Sequence, residues 1–275
     1  MSPSLLQVLR VGDVEQLQAM LAAEPALARA PLYPSWGCPA EPMLVACNGP
    51  FNGWPLGGRA AALAGALLDA GVPVDGDSAP ALGNPLISAV SLGNTAVARV
   101  LVERGADLEA TAPYPGVPTG TPLDYAGHFG MVGCVDLLAA HGARVDTLRK
   151  AAAVGLPDAL ESLLTDASEQ QRRDALRVAV VCCRLGACET LLATGVQIGD
   201  ASSSGGTLLH WAAWEGKARM ARWLLDRGAN PEARDSKHQL TAAGWARHRA
   251  KEIGPGWGHA EVLQVFEAAS ARPAP

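Results

Sequence analysis

One spacing recurs along the chain and constrains its fold more than any other feature: a leucine, a glycine seven residues later, and a second glycine twelve residues after the first. It is complete in three places: Leu86 with Gly93 and Gly105, Leu123 with Gly130 and Gly142, and Leu209 with Gly216 and Gly228. Self-similarity at a fixed period indicates one supersecondary unit that is repeated and stacked. The sequence therefore predicts a repeat architecture, in which each unit buries its apolar face only against its neighbours.

Five weaker copies fall into the same register and bring the total to eight. They begin at Leu5, Met43, Leu148, Leu176 and Ala243, and the copies at Met43 and Ala243 contain insertions. The first glycine of a copy is expected to end the first helix in a left-handed conformation, and the second to end the outer helix. In the copy that begins at Leu176, Cys183 occupies the first glycine position.

The segments that carry the repeat most clearly resemble the ankyrin repeat. They are "NPLISAVSLG" (84–93), "TPLDYAGHFG" (121–130) and "TLLHWAAWEG" (207–216), each followed by an outer segment that ends in "ERGAD", "AHGAR" or "DRGAN". The resemblance implies an all-α solenoid of about eight helix–turn–helix repeats with hairpin-like loops. We expect a single domain over residues 1–275, with caps at about 4–35 and 239–270. It also implies that His210 ties down its turn by hydrogen bonds and that Asp124, in the same slot, caps its own turn.

Composition and motifs exclude several classes of function. The formal charge of −5 argues against nucleic acid or a membrane surface as the main partner. No stretch approaches the roughly 20 apolar residues of a membrane span. The N-terminal residues lack the pattern of an export signal, and the six cysteines lack a disulfide framework, so we expect reduced thiols in the cytoplasm. Because no phosphate loop, dinucleotide fingerprint, nucleophile elbow or zinc motif occurs, we expect no cofactor and no metal.

The exposed face of the inner helices is predicted from the positions two, five and six after each anchor residue, which share one side of a helix. In the middle copies these positions are small and apolar: Ala153, Val154, Val178, Val181 and Cys182. The flanking copies supply aromatic, histidine and charged residues: Tyr125, His128, Phe129, Trp211, Trp214, Glu215, Trp245, His248 and Arg249. An apolar floor between polar and aromatic walls is typical of a ligand pocket.

Each of these positions also has a simpler interpretation. Trp211, Tyr125 and Trp245 occupy a position that usually packs between repeats, whereas Trp214 and Glu215 stand at more exposed positions, as do His128 and Phe129 of the fourth copy. Trp223 is expected in the core of an outer helix. Lys150 is the charged residue of the central rows; it either extends to solvent or, if desolvated, acts as an acid, a base or an imine-forming amine.

Three loops place aromatic residues where partners are often bound. The insertion at 47–58 carries Phe51 and Trp54, and the insertion at 248–259 carries Trp257. The segment 111–122 places Tyr114 between prolines at a predicted hairpin tip. Long loops on a rigid scaffold are often functional, although Trp54 is equally expected to fold back on the helices and Trp257 to cap the last repeat.

The resemblance implies, as the first hypothesis, recognition of a protein partner through the concave face and the loop tips. The partner-binding residues would be Trp214, Trp211, Phe129, Tyr125, Tyr114, Trp54, His248 and Arg249. The alternative is a cofactor-free small-molecule-binding protein or an enzyme of the isomerase, cyclase or lyase type. Its acid–base groups would be Glu215, His128 and Lys150, with Glu215 and His248 as one possible pair. Self-association through the exposed aromatics is a third hypothesis.

Overall fold

A computed structural model describes residues 4–33, 40–49, 53–54, 56, 58–76, 84–114, 117–200, 205–254 and 256–270, with the backbone alone at 113–114 and 117–119. Contacts divide the chain into two compact units. The first comprises residues 1–126 and 133–144, and the second comprises 127–132 and 145–275. Each unit is built from pairs of antiparallel helices, as the repeat predicts.

The helices of the first unit belong to the first four copies. They are α1 (Leu5–Val11), α2 (Val14–Ala23), α3 (Pro42–Asn48), α4 (Arg59–Asp69), α5 (Pro85–Ser91), α6 (Thr95–Glu103), α7 (Pro122–His128) and α8 (Val132–Ala140). A short 3₁₀ helix, Pro25–Arg29, follows α2. Inner helix α3 packs against α1 and α5, and outer helix α4 packs against α2 and α6. The last residues of α7, with the turn that follows, group with the second unit.

The second unit contains four further helix pairs. They are α9 (Leu148–Val154) with α10 (Pro157–Leu164), α11 (Glu169–Val181) with α12 (Leu185–Leu192), α13 (Leu208–Trp214) with α14 (Ala218–Asp226), and α15 (Ala242–Ile253) with α16 (His259–Ser270). The inner helices pack in chain order, α9 on α11, α11 on α13 and α13 on α15. The eight helix pairs found among the described residues confirm the predicted all-α repeat fold.

Local sequence signals explain where these helices begin. Asn84, Thr147 and Ser168 are N-caps whose side chains accept a hydrogen bond from a backbone amide three residues later. Proline occupies the first helical position of α5 and α10, where its missing N–H costs nothing. The predicted Asp124 cap is confirmed, because Asp124 Oδ2 accepts from both the amide and the hydroxyl of Thr121.

The ends of the inner helices confirm the predicted left-handed position. The first glycine of each complete copy has a positive φ, between 63° and 69°. Cys183, which replaces this glycine in the sixth copy, is forced into the same conformation with φ of 58°. A side chain costs about 1 kcal/mol or more there, so the repeat geometry outweighs the local preference of cysteine.

Two loops of the first unit are held close to its helices. Strands β1 (Ala112–Tyr114) and β2 (Val117–Gly120) form the predicted hairpin, pairing Ala112 with Gly120 and Tyr114 with Val117. Tyr125 is buried, and its hydroxyl donates to the Ala112 carbonyl at 2.9 Å. Tyr125 therefore packs between repeats, as its simpler interpretation states, because its hydroxyl is already bonded to the hairpin. The side chain of Tyr114 lies outside the described residues.

The first insertion returns to the helix that precedes it. The Trp54 amide donates to the Gly49 carbonyl at 3.1 Å, and a Cβ placed on Gly49 would lie 2.9 Å from the Trp54 ring. Trp54 is half-buried as a result, which is the fold-back alternative of the two predicted for it. Phe51 lies outside the described residues.

The core of the second unit runs through its inner and outer helices. Leu176, Leu209 and Leu224 are representative of its fully buried side chains, and Trp223 packs on its edge with Arg227 stacked 4.1 Å from the ring centroid. Trp223 is therefore structural, as predicted. Within the described ranges, no helix is long and apolar enough to cross a membrane.

Candidate functional site

Three tryptophans meet where α13 packs against α15. Trp245 of α15 lies at the centre, with its ring centroid 5.4 Å from that of Trp211 and 5.6 Å from that of Trp214, both nearly edge-to-face. All three are half-buried. Edge-to-face pairs of this kind stabilise by about 0.5–1.5 kcal/mol beyond the area they bury, so the three rings form one stable surface and not three independent side chains.

Asp235 fixes the central tryptophan. Its Oδ2 accepts from the Trp245 indole N–H at 3.0 Å and from the Leu240 amide at 2.9 Å, while Oδ1 accepts from the amides of Lys237 and His238. Burial raises the pKa of the Asp235 carboxyl, but these hydrogen bonds outweigh burial and hold the pKa below its usual range. The charged carboxylate therefore orients Trp245 and closes the turn before α15 at the same time.

His210 performs the structural task predicted for it. It is fully buried, its Nε2 lies 3.0 Å from the Leu240 carbonyl, and its Nδ1 lies 2.8 Å from the Thr207 hydroxyl. Nε2 must carry the proton, since a carbonyl only accepts. Its ring also packs edge-on against Trp245 at 5.1 Å.

Two arginines stack on the tryptophans. The Arg177 guanidinium carbon lies 5.1 Å from the Trp211 ring centroid, and that of Arg249 lies 4.9 Å from the Trp214 centroid. Arg177 is 5% exposed. Burial, with the charge of Arg149 beside it, lowers the pKa of Arg177 to about 10, so the side chain remains a cation at neutral pH.

Glu215 follows Trp214 at the end of α13 and is surrounded by cations. It is half-buried, and no hydrogen bond or ion pair within the described residues reaches its carboxylate. Burial raises the pKa of Glu215 to about 7, although Lys217, Arg249 and Arg177 act in the opposite direction. A carboxyl group of this kind is partly protonated at neutral pH and is able both to donate and to accept a proton.

His128 faces two arginines. Its Nδ1 lies 3.2 Å from Arg177 Nη2 and 3.5 Å from Arg149 Nη2, and its carbonyl accepts from Arg177 Nη1 at 3.3 Å. Arginine only donates, so Nδ1 is an unprotonated acceptor and Nε2 carries the ring proton. Burial lowers the pKa of His128 to about 3, with the charges of Arg177 and Arg149 adding to the effect. Its ring is neutral and packs edge-on against Phe129 at 4.9 Å.

Most of the predicted apolar floor is not accessible, and Val154 is the one residue of this set that is half-buried and not fully buried. Ala153, Val178, Val181 and Cys182 are at most 1% exposed, because the end of α7 lies on them. A Cβ placed on Gly127 would lie 2.9 Å from Ala153 Cβ, and the Cys182 thiol donates to the Gly127 carbonyl at 3.5 Å. The prediction of an open apolar floor was therefore wrong: the chain itself covers these side chains.

Lys217 holds the turn that follows α7. Its Nζ donates to the Gly130 carbonyl at 2.9 Å, and a Cβ placed on Gly130 would lie 2.7 Å from the Val181 carbonyl oxygen. A glycine is required at 130 both for this approach and for its positive φ. The fourth, sixth and seventh copies thus meet at one point within the second unit.

The second insertion is locked onto the end of α13. The backbone of Trp257 and Gly258 lies directly on Gly216, where a Cβ would overlap the Trp257 carbonyl oxygen. Beside it, His259 Nε2 donates to the Trp214 carbonyl at 2.8 Å. Trp257 keeps 42% of its surface exposed in this position. The insertion therefore packs back on the seventh copy and presents a tryptophan whose backbone is held in place, while its capping of the last repeat stays a prediction.

His248 and Arg249 complete this surface. The His248 ring stacks on Trp214 with a centroid distance of 6.1 Å. His248 and Arg249 both contact Glu252: its carboxylate lies 3.2 Å from His248 Nε2 and 3.1 Å from Arg249 Nη1. We call Trp211, Trp214, Trp245, His248, Arg249 and Trp257 the tryptophan face. Glu215 and His248 were predicted as a possible acid–base pair. Glu215 follows Trp214 in the chain and His248 stacks on the Trp214 ring, but His248 Nε2 lies beside the carboxylate of Glu252.

Lys150 does not extend to solvent, which was the first of the two alternatives predicted for it. The side chain is 4% exposed, and its Nζ donates to Asp146 Oδ1 at 2.8 Å, four residues earlier. Its acid–base role under the enzyme hypothesis stays a prediction.

Four residues of the site escaped prediction: Arg177, Lys217, Asp235 and His259. Arg177 falls one position away from the row predicted to be exposed, and Lys217 and Asp235 lie in turns. Only Asp235 carried a usable signal, because an aspartate before a tight turn often accepts backbone amides. Arg177 and Lys217 act through contacts with the fourth copy, two and three copies away, and His259 acts through a contact with the preceding copy.

The second unit also matches a known protein family in sequence. Residues 148–235 match the family described as ankyrin repeats (3 copies). Residues 148–235 contain ankyrin repeats. The crystal structure of the human ASB11 ankyrin repeat domain is similar over 100% of both chains, with 23% identity and a TM-score of 0.45. A search of curated proteins found no significant match.

The matched segment spans α9 to α14 and the turn that holds Asp235, so the ankyrin-repeat region includes Trp211, Trp214 and Glu215. Ankyrin repeats are general protein–protein interaction modules. Repeat proteins of this type use the extended surfaces created by stacked units for binding.

Proposed function

We propose that this ankyrin-repeat protein binds another protein through the tryptophan face. One observation carries the proposal: Trp257 is 42% exposed and yet held in place by the contact of its backbone with Gly216. Association also carries a cost for ordering loops at the interface, and a loop whose backbone is already held in place avoids part of that cost. Tryptophan and arginine are also the residues most enriched among those that dominate interface energies.

The contacts that hold the other tryptophan rings in place support the same function. His248 and Arg249 both pack against the ring of Trp214, and the Trp214 carbonyl accepts a hydrogen bond from His259. Asp235 anchors Trp245 beneath it. The face is therefore pre-organised, which favours recognition of a partner without rearrangement.

The test compares partner capture by the wild type, Trp257→Ala and Leu156→Ala. Leu156 is a matched control, since it is 43% exposed but lies before α10, away from the tryptophan face. We expect a protein captured from host-cell lysate by the wild type and by Leu156→Ala to be lost with Trp257→Ala. Truncation of a central tryptophan costs about 2 kcal/mol, or about thirtyfold in Kd. Equal capture by all three proteins would contradict the proposal, and capture of a second copy of the chain would indicate self-association.

Glu215 favours a second candidate function. A half-buried carboxyl group with a pKa of about 7 and no hydrogen-bond partner in the described structure has the properties of an acid–base catalyst. A cofactor-free isomerase, cyclase or lyase would use it beside Trp214, at the edge of the tryptophan face. His128 fits such a mechanism less well, because its Nδ1 already accepts from two arginines.

Native mass spectrometry of protein purified gently from its host separates these functions. An added mass of a few hundred daltons that disappears with Trp214→Ala supports the small-molecule function, and Glu215→Gln then tests catalysis. A stoichiometric protein adduct that survives Glu215→Gln and is lost with Trp257→Ala supports partner binding.

A further inference from the structure

Cations outnumber carboxylates along the helix that borders the tryptophan face. α15 carries Arg247, Arg249 and Lys251 with His248, against Glu252 as its acidic residue. Glu252 is already shared between His248 and Arg249. Arg247 and Lys251 are exposed, and neither makes an ion pair with a described carboxylate. A positive surplus therefore remains for another molecule to neutralise.

This surplus is local. Lys217 and Arg177 add two cations beside Glu215 at the end of α13. Yet the chain as a whole has a formal charge of −5. The first unit contains 6 Lys and Arg against 12 Asp and Glu, whereas the second contains 16 against 15. The positive surplus thus stands out from the rest of the chain.

From this charge pattern we infer that the tryptophan face binds an acidic peptide segment of the partner protein. An Asp or Glu side chain of that segment pairs with Arg249, and a neighbouring apolar side chain packs on Trp257. The inference rests on the proposed function and specifies the chemistry of its partner.

The geometry of Arg249 suits a carboxylate. Its guanidinium carbon lies over the Trp214 ring, 4.9 Å from the centroid, and the planar fork of a guanidinium matches the geometry of a carboxylate. Among the described residues, only its Nη1 donates a hydrogen bond, to Glu252 Oε2. Arginine has five N–H donors, so further donors are available for a charge-assisted hydrogen bond, the strong kind between arginine and carboxylate.

A peptide fits better than the other common polyanion, a nucleic acid. Glu215 and Glu252 lie among the cations, so the surplus amounts to a few charges and not to a basic stripe. Nucleic-acid binding draws on several phosphate contacts, and a chain with a charge of −5 repels such a backbone elsewhere. One or two carboxylates next to an apolar side chain match the available charge.

The experiment is selection of random 12-residue peptides by phage display against the full chain in low salt. The best peptide is then measured by fluorescence polarisation, together with its version in which every Glu and Asp is replaced by Gln and Asn. We expect enrichment of acidic peptides, at least tenfold weaker binding of the amide version, and several-fold weaker binding between 50 and 300 mM salt. Arg249→Gln should weaken binding at least fivefold, while Glu215→Gln, which removes a competing negative charge, should strengthen it.

The outcomes separate this inference from the proposed function. If neutral or basic peptides are enriched and lose binding with Trp257→Ala but not with Leu156→Ala, the inference of an acidic peptide is wrong, and the tryptophan face remains the binding site. Acidic peptides that bind Trp257→Ala as well as the wild type would show that the tryptophan face is not the binding site. Failure to enrich any peptide above an Arg249→Gln, Trp257→Ala double variant overturns both. Binding of an oligothymidine 12-mer that depends on Arg249, without peptide binding, assigns the face to nucleic acid instead.

Discussion

Replacement of Glu215 by glutamine tests whether burial controls this site. Burial raises the pKa of Glu215 from its ordinary 4.5 to about 7, so the folded state binds this proton more tightly than the unfolded state. Stability from this group is therefore present below about pH 4.5 and is lost progressively as pH rises to about 7. A shift of one pKa unit corresponds to about 1.4 kcal/mol. Since the carboxylate keeps some contact with water, we expect a loss of about 1–3 kcal/mol by pH 8.5.

Urea unfolding followed by far-UV circular dichroism at pH 5, 6, 7 and 8.5 measures this loss. Glu215→Gln cannot ionise, so its stability relative to the wild type should rise by about 1–3 kcal/mol between pH 5 and 8.5. Glu252→Gln removes the same charge from an exposed position and should stay within about 1 kcal/mol of the wild type at every pH. A difference between Glu215→Gln and the wild type that is constant across this range would refute the role of burial.

Three further substitutions test the contacts that fix the turns and the helix ends. Cys183→Gly relieves a side chain at φ of 58° and should raise the free energy of unfolding by about 0.5–1 kcal/mol over Cys183→Ala in urea titrations. Gly216→Ala forces a Cβ onto the Trp257 carbonyl at a position of positive φ, so it should lower stability by at least about 2 kcal/mol and increase proteolytic cleavage of the 254–258 loop. Asp235→Asn places an amide donor among four N–H donors, and should cost about 2–3 kcal/mol and reduce the near-ultraviolet dichroism of Trp245.

Each of these has its own contrary result. Equal stability of Cys183→Gly and Cys183→Ala would show that the left-handed conformation is not strained. A Gly216→Ala protein with unchanged proteolysis would show that the insertion is not held by α13. Wild-type near-ultraviolet dichroism in Asp235→Asn would mean that Trp245 is positioned by packing alone.

The repeat pattern was sufficient to predict the fold. Its glycines were placed correctly in the left-handed turns, and even the substitution of Cys183 was assigned to the right position. The functions of His210 and Asp124 followed from their place in the motif, since a capping bond joins residues three positions apart. These features are local, and local sequence specifies them.

The site was predicted only in part, and the errors have one cause. Trp214, Arg249 and His248 meet as the predicted exposed row requires. The apolar residues of the middle copies belong to the same row, yet Val181 is buried under the turn that contains Gly130. A helical face identifies which side chains point the same way, but not what covers them.

The sequence by itself determined the helix pairs, their caps and left-handed turns, and the list of side chains available to a partner, because these depend on contacts a few residues apart. Tertiary structure alone decided which of those side chains meet. It placed Arg177 against His128, 49 residues apart, and Lys217 against the Gly130 carbonyl, 87 residues apart. It also gave Glu215 its raised pKa, since desolvation depends on everything packed around a carboxylate and not on its neighbours in the chain.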